Sequence, residues 1–71
     1  MAEVKLFDVA AVTTDMLAEG LYRGQVGTVV DSLAPGVHEV EFSDDQGRTY
    51  ASLAVADDQL MVLHYRPRRA A

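Results

Sequence analysis

The sequence predicts an all-β domain of five short strands. Between Arg23 and Tyr50 three strand-like runs are separated by two turn signals, which is typical of a β-meander. A further apolar run lies on each side, at residues 6–12 and 60–65. With 71 residues the chain has room for one domain, and a domain of this size buries only about 60% of the surface that its unfolded chain exposes.

The first strand of the meander is predicted at residues 25–33, which are rich in Val and Thr. Gly24 and Gly27 flank its start, and they indicate a bend or bulge there. The sequence Ala-Pro-Gly-Val at 34–37 then has Pro at the second turn position and Gly at the third. Since a type II turn needs positive φ at the third position, the chain is expected to reverse here.

Alternation with a period of two marks the next strand, at residues 37–42. One face of this strand is expected to point to the core and the other to water. The inward face carries His38, Val40 and Phe42, and the outward face carries Glu39 and Glu41.

The second half of the chain predicts a hairpin, a strand, a short turn and a last strand. Residues 43–47, Ser-Asp-Asp-Gln-Gly, have the Asx residues and the Gly of a bulged hairpin loop. A strand of small residues follows at 48–55. The turn-forming residues at 56–59 favour a single 3₁₀ turn before the strand at 60–65.

The first strand of the chain is predicted at residues 6–12. Residues 13–20 then fit one or two helical turns with a Thr N-cap and a Gly stop, and they fit an irregular loop equally well. Leu21 and Tyr22 are expected to anchor this connection to the core.

Five short strands, one long early loop, tight hairpins and a 3₁₀ turn before the last strand form the order of an SH3-like small barrel. The predicted barrel domain covers residues 1–65, and residues 66–71 are predicted to be a disordered basic tail. The alternative is an open, strongly twisted antiparallel sheet that dimerises to cover its apolar face.

Charge is unevenly distributed along the chain. Residues 1–65 hold all eleven carboxylates against three basic side chains, a balance of −8, and the remaining three basic residues are in the tail. Such a body repels phosphate backbones and attracts basic surfaces. The chain has no Cys, no secretory leader and no apolar run of about 18 residues, so we expect a soluble cytoplasmic protein.

No catalytic or metal-binding motif is present in the sequence. The serines stand in no nucleophile elbow or triad, so we expect a protein without enzyme activity and without a cofactor. A metal site would need His38 and His64 together with Asp57 or Asp58 and a further ligand. The Asp pairs at 44–45 and 57–58 are better explained as turn residues, and we expect no metal.

A nucleic-acid site is the next alternative. Arg23, Arg48, Tyr22 and Tyr50 could form a small patch on which bases stack. The charge of the body opposes it, because few phosphate contacts are available to release counterions.

Four segments together resemble a short bacterial family of unknown function. They are LFDVAAV, GLYRGQVGTVV, HEVEFSDDQGRTYA and DDQLMVL, and they span residues 6–63. The resemblance implies a small SH3-like barrel, often encoded beside another small or toxin-like gene, and hence an antitoxin or immunity role. Residues 23–29 also resemble the glycine-containing core of the KOW group. Two departures are His38, where an aromatic residue is expected, and the basic residues at 66–69.

The sequence therefore predicts a non-enzymatic protein-interaction module, an antitoxin or immunity protein that binds a basic cognate protein. The predicted partner-binding residues are acidic and are expected on one side of the sheet: Asp31, Glu39, Glu41, Asp44 and Asp45. A solvated face that keeps a small barrel soluble is the simpler interpretation of the same residues. Other functional alternatives are a KOW-like nucleic-acid-associated regulator and an accessory domain of a larger complex.

Overall fold

The computed structural model describes residues 3–67, which form an all-β domain with five strands and two short 3₁₀ turns. The strands are β1 (Val9–Val12), β2 (Val26–Ala34), β3 (Val37–Ser43), β4 (Thr49–Ala56) and β5 (Leu60–Val62). The 3₁₀ turns are Leu17–Glu19 and Asp57–Gln59. The all-β class and the 3₁₀ turn before the last strand are as predicted.

All strands belong to one antiparallel sheet with the order β4-β3-β2-β1-β5. β4 and β5 are the two ends of this order, and no ladder joins them within residues 3–67. The sheet is therefore not closed by strand pairing.

One hydrophobic core is shared by all five strands. Its buried members are Ala10, Val12, Leu21, Val29, Val40, Phe42, Val55 and Leu60. Because residues 3–67 contain no α-helix to cover the sheet, its two ends must curve toward each other for Val55 on β4 and Leu60 on β5 to enter the same core. The inward face predicted for β3 is confirmed, since His38, Val40 and Phe42 are all buried.

The connection from β1 to β2 differs from the prediction in two ways. Its helical part is only the 3₁₀ turn Leu17–Glu19, which ends at Gly20 in the left-handed conformation (φ 75°). Leu21 is fully buried and anchors the connection, whereas Tyr22 is 65% exposed, so its predicted anchoring role is wrong. Met16 of the same connection also packs against the core and is partly buried.

The predicted turns are confirmed by positive φ at Gly36 (74°) and Gly47 (80°). The bend before β2 is at Gly24 (φ 97°). Gly27 itself lies in a regular ladder between Ala10 and Phe42, so a bend at Gly27 is wrong. The irregularities of β2 come later, where the register shifts between Val29 and Asp31 and again between Ser32 and Ala34.

The first and last strands of the chain, β1 and β5, are shorter than predicted. β1 begins at Val9, because Leu6 and Phe7 form a turn in which Phe7 has φ 69°. β5 ends at Val62. The domain boundary at residue 65 stays a prediction, and residues 68–71 of the predicted tail lie outside the described residues.

Within residues 3–67 no helix is long and apolar enough to cross a membrane.

Candidate functional site

Three of the predicted partner-binding residues share the outer face of β2 and β3. Asp31 is directly opposite Glu39, and Glu41 is opposite Thr28. We call Asp31, Glu39 and Glu41 the acidic row. Residues that face each other across an antiparallel pair lie on the same face of the sheet, so the three carboxylates point to the same side.

The register shift in β2 is what places Asp31 in the acidic row. Val29 pairs with Val40 on the core face, and an unbroken ladder would put Val30 opposite Glu39. One extra residue at this point brings Asp31 opposite Glu39 instead. Regular alternation would have directed the Asp31 carboxylate at the core, and the bulge turns it outward.

No cation neutralises the acidic row within residues 3–67, where the two ion pairs are His38–Asp57 and Arg48–Asp44. Asp31 Oδ1 accepts a hydrogen bond from the Ser32 N–H (2.8 Å), and Glu39 Oε2 accepts one from Ser52 Oγ (3.1 Å). Like charges directly opposite each other destabilise a sheet, by about 0.2–1 kcal/mol for a pair. A cationic surface placed over the row would remove this repulsion.

Asp44 and Asp45 lie apart from the acidic row. They follow the last residue of β3, and Asp44 is three positions beyond Glu41, the nearest member of the row, a distance of about 10 Å along a strand. Asp44 Oδ1 accepts the N–H groups of Gln46 and Arg48, both at 2.9 Å, and its Oδ2 lies 3.3 Å from Arg48 Nε. Asp44 is therefore a structural residue of the hairpin loop, and Asp45 is exposed at its tip.

The loop contacts of Asp44 predict a dependence of stability on pH. The backbone N–H of Arg48, with further help from the N–H of Gln46 and the Arg48 side chain, holds the pKa of Asp44 below its ordinary 3.8. A lowered folded-state pKa means that the carboxylate stabilises the fold above the unfolded-state pKa, and that this contribution is lost as pH falls through the folded-state value. Asp44→Asn should therefore lower the midpoint of thermal unfolding at pH 6 more than at pH 3.

The exposed neighbour supplies the control for this measurement. The structure shows no hydrogen bond of the Asp45 side chain within residues 3–67, so Asp45→Asn should leave the midpoint unchanged at both pH values. A deficit of Asp44→Asn that is as large at pH 3 as at pH 6 would show that charge plays no part in the loop.

The structure also brings together two residues that the sequence analysis connected only as ligands of a hypothetical metal site, His38 and Asp57. His38 is buried on the core face of β3, and its Nε2–H donates to Asp57 Oδ1 in the 3₁₀ turn. The Asp57 N–H donates to the Gly36 carbonyl (2.9 Å), so Asp57 joins the turn before β3 to the turn before β5. The one signal in the sequence was a polar side chain on an apolar face, which needs a hydrogen-bonding partner when buried.

The second histidine lies elsewhere. His64 lines an open surface groove of about 450 Å³ together with Phe7, Leu63 and Tyr65. Phe7 is 70% and Tyr65 87% exposed, so the groove is shallow and encloses no side chain. Within residues 3–67 no group of three or more His, Cys, Asp or Glu side chains could hold a metal ion.

The predicted basic and aromatic patch is only partly assembled. Gln25 connects two of its members, since its Oε1 accepts the Tyr22 N–H (2.5 Å) and its Nε2 donates to the Tyr50 hydroxyl (3.0 Å). Arg48 instead points into the hairpin loop, where it contacts Asp44 and Gln46. Arg23 lines a different hollow, together with Ala11, Val12 and Met61, so neither arginine is shown beside the two tyrosines.

These features define a small domain built on one antiparallel sheet, with an acidic outer face and no assembled metal site in residues 3–67. Residues 6–62 match the family model described as a domain of unknown function, DUF4926, and the chain belongs to this family. The resemblance to an uncharacterised family is thereby confirmed. No curated protein matches the chain. No solved structure matches it either.

Proposed function

We propose that this chain is a non-enzymatic protein-binding module, an antitoxin or immunity protein that binds a basic cognate protein through the acidic row. The observation that carries the proposal is that Asp31 and Glu39 stand directly opposite each other and that neither forms an ion pair within residues 3–67. Glu39 and Glu41 are also half-buried on the sheet surface, where their charges are screened less than on mobile side chains. A basic partner surface would satisfy all three carboxylates.

The charge of the whole body supports the same partner chemistry. A balance of −8 over residues 1–65 raises the rate at which a basic protein meets this surface. We also propose that the sheet is an SH3-like barrel left open between β4 and β5, in line with the shared core. Its proposed place of action is the cytoplasm, where a chain without Cys needs no disulfide.

Charge reversal in the acidic row tests the proposal. The candidate partners are toxic products of genes adjacent to this one, and co-expression of this chain should relieve their toxicity. With such a partner, Glu39→Lys combined with Glu41→Lys should lower the association rate constant by about tenfold or more at low salt. The difference should shrink as salt screens the charges, and stopped-flow or biosensor kinetics across salt concentrations measures it.

A second charge reversal elsewhere is the matched control. Glu19→Lys combined with Asp58→Lys changes the net charge equally, but both side chains are exposed in the two 3₁₀ turns, away from the acidic row. The control should reduce the rate clearly less. Equal effects of the two double variants would locate binding outside the acidic row, and an absence of any toxic neighbour that binds would remove the antitoxin proposal.

A KOW-like regulator is the second candidate, because Tyr22 and Tyr50 are both exposed and Gln25 bonds both the Tyr22 backbone N–H and the Tyr50 hydroxyl. Its site would be this pair with Arg23. Binding of short RNA at about 150 mM salt, lost in Tyr22→Ala, would favour it over the antitoxin. An accessory domain of a larger complex would be recognised by stoichiometric co-purification with the other chains of that complex.

A further inference from the structure

The long edge of the sheet is open. β4 has eight residues, Thr49–Ala56, and within residues 3–67 it pairs only with β3. It contains no charged residue and no proline, the two devices with which sheet edges commonly prevent further pairing. An extended polypeptide can therefore add to this edge through its main chain.

The ladder determines which backbone groups of β4 are free. Leu63 N–H donates to the Val9 carbonyl (2.8 Å), so the backbone groups of Val9 point to β5 and those of Ala10 point to β2. The direction in which the backbone N–H and C=O groups point alternates from residue to residue along each strand. When this alternation is followed through the paired residues of β2 and β3, the backbone groups of Leu53 point to β3. The backbone N–H and C=O groups of Ser52 and Ala54 consequently point away from the sheet.

The acidic row lies one strand in from this edge, behind two small residues. Glu41 is opposite Ser52, and Glu39 is opposite Ala54. Ser52 and Ala54 are exposed on the same outer face as the two carboxylates. A strand added to β4 would lie about 10 Å from β3, two strand spacings, and nothing larger than Ser would stand between its side chains and the carboxylates.

We propose that the basic partner supplies an extended segment that adds to the free edge of β4, with basic side chains two positions apart opposite Ser52 and Ala54. Each long cationic side chain leans over the small residue next to it and reaches Glu41 or Glu39. This inference rests on the proposed function and specifies how the partner engages the acidic row. Main-chain hydrogen bonds hold the segment, and the alternating charges select its register.

A second copy of this chain is a poorer occupant of the same edge. Pairing of two β4 strands would bring no basic side chain opposite Ser52 or Ala54, because Thr49–Ala56 has none. It would also bring together two bodies that each carry a balance of −8 over residues 1–65. The acidic row would remain uncompensated in such a dimer.

Synthetic peptides test the edge without any cognate protein. The full chain, labelled with ¹⁵N, is titrated with the hexapeptide TRVRVT, which carries both arginines on one face of a strand. The amide resonances of Ser52 and Ala54 should shift, with a dissociation constant about tenfold or more below that of TEVEVT at low salt. TRRVVT has the same composition but its arginines point to opposite faces, and it should bind clearly more weakly than TRVRVT.

A proline at the edge separates strand addition from simple charge attraction. Ala54→Pro removes an N–H that takes no part in the β3–β4 ladder, a position where a sheet tolerates proline. It should abolish the response to TRVRVT, whereas Ala54→Val, which keeps the N–H, should retain it. If Ala54→Pro does not fold, the comparison of TRVRVT with TRRVVT on the unchanged chain still decides.

Several results would overturn the inference. They are an absence of shifts at Ser52 and Ala54, equal affinities for TRVRVT and TRRVVT, and a dimer of the chain alone in which these two amides are protected from exchange. Failure of the proposed function gives a different result. If the chain binds TRVRVT but relieves no toxicity, the edge site is supported and the antitoxin function is not. If binding of a cognate partner is unchanged by Ala54→Pro but weakened by Glu39→Lys, the proposed function is supported and strand addition at β4 is not.

Discussion

Gly27→Val is expected to lower the free energy of unfolding by about 3 kcal/mol, which for a domain of this size corresponds to a fall of roughly 12–24 °C in the thermal midpoint. A Cβ at this position would lie 2.7 Å from Val40 Cγ1, 2.9 Å from Phe42 Cδ2 and 2.9 Å from the Glu41 carbonyl oxygen. Val40 and Phe42 are fully buried, so neither can turn away. The Glu41 carbonyl belongs to the β-strand backbone and cannot move independently.

Smaller substitutions show whether close contact is the cause. Gly27→Ala should already account for most of the loss, because the clash is with the Cβ itself, whereas a bend that excludes only β-branched residues would tolerate Ala. Gly36→Ala is the matched control: it carries the strain of φ 74°, but its nearest heavy atom is Asp57 Oδ2 at 3.6 Å. Its expected cost is about 1 kcal/mol. A loss for Gly27→Ala no larger than for Gly36→Ala, in urea or thermal melts, would contradict close packing at Gly27.

The turns and the alternating strand were predictable because their signals are local. Pro35 fixes its own φ, and Gly36 and Gly47 supply positive φ wherever the surrounding chain lies. The alternation in β3 similarly needs only one apolar face. Elements of this kind are determined by residues that are adjacent in sequence.

The bulge and the short first strand were not predictable in the same way. The run Val-Val-Asp-Ser-Leu-Ala of β2 allows more than one register against β3, and the register observed has one extra residue before Asp31 and another before Ala34. β1 was expected to begin at Leu6, but its pairing with β2 starts at Val9. Register and strand ends depend on the neighbouring strand, which the sequence alone does not identify.

In the candidate site, too, the features set by residues close in sequence were predictable, and those set by neighbouring strands were not. The shared face of Glu39 and Glu41 follows from alternation within one strand, and Asp31 joins them through a pairing of neighbouring strands. Asp44 was assigned to the same group by charge, but the N–H groups of its own loop take up its carboxylate. These local hydrogen bonds give Asp44 a structural role in the loop, and its partner-binding role stays a prediction.

The contact between His38 and Asp57 joins residues 19 positions apart, and it leads to the second large expected effect. Asp57→Ala should destabilise the fold by about 2 kcal/mol, because it leaves a buried imidazole N–H without an acceptor. Asp58→Ala is the matched control, since in the described part of the chain the Asp58 side chain makes no hydrogen bond and only its backbone carbonyl accepts one, from Thr13. This neighbouring substitution should cost less than about 0.5 kcal/mol.

A double-mutant cycle separates the contact from other effects of the substitution. His38→Leu replaces the imidazole by an apolar side chain on the face shared with Val40 and Phe42. Once His38 is replaced, Asp57→Ala should cost much less, because no buried donor is left unpaired. The coupling energy from urea unfolding of the four proteins is expected to be about 1–2 kcal/mol. A value near zero, or equal losses for Asp57→Ala and Asp58→Ala, would mean that the turn before β5 is held by the backbone bond from Asp57 N–H to the Gly36 carbonyl and not by His38.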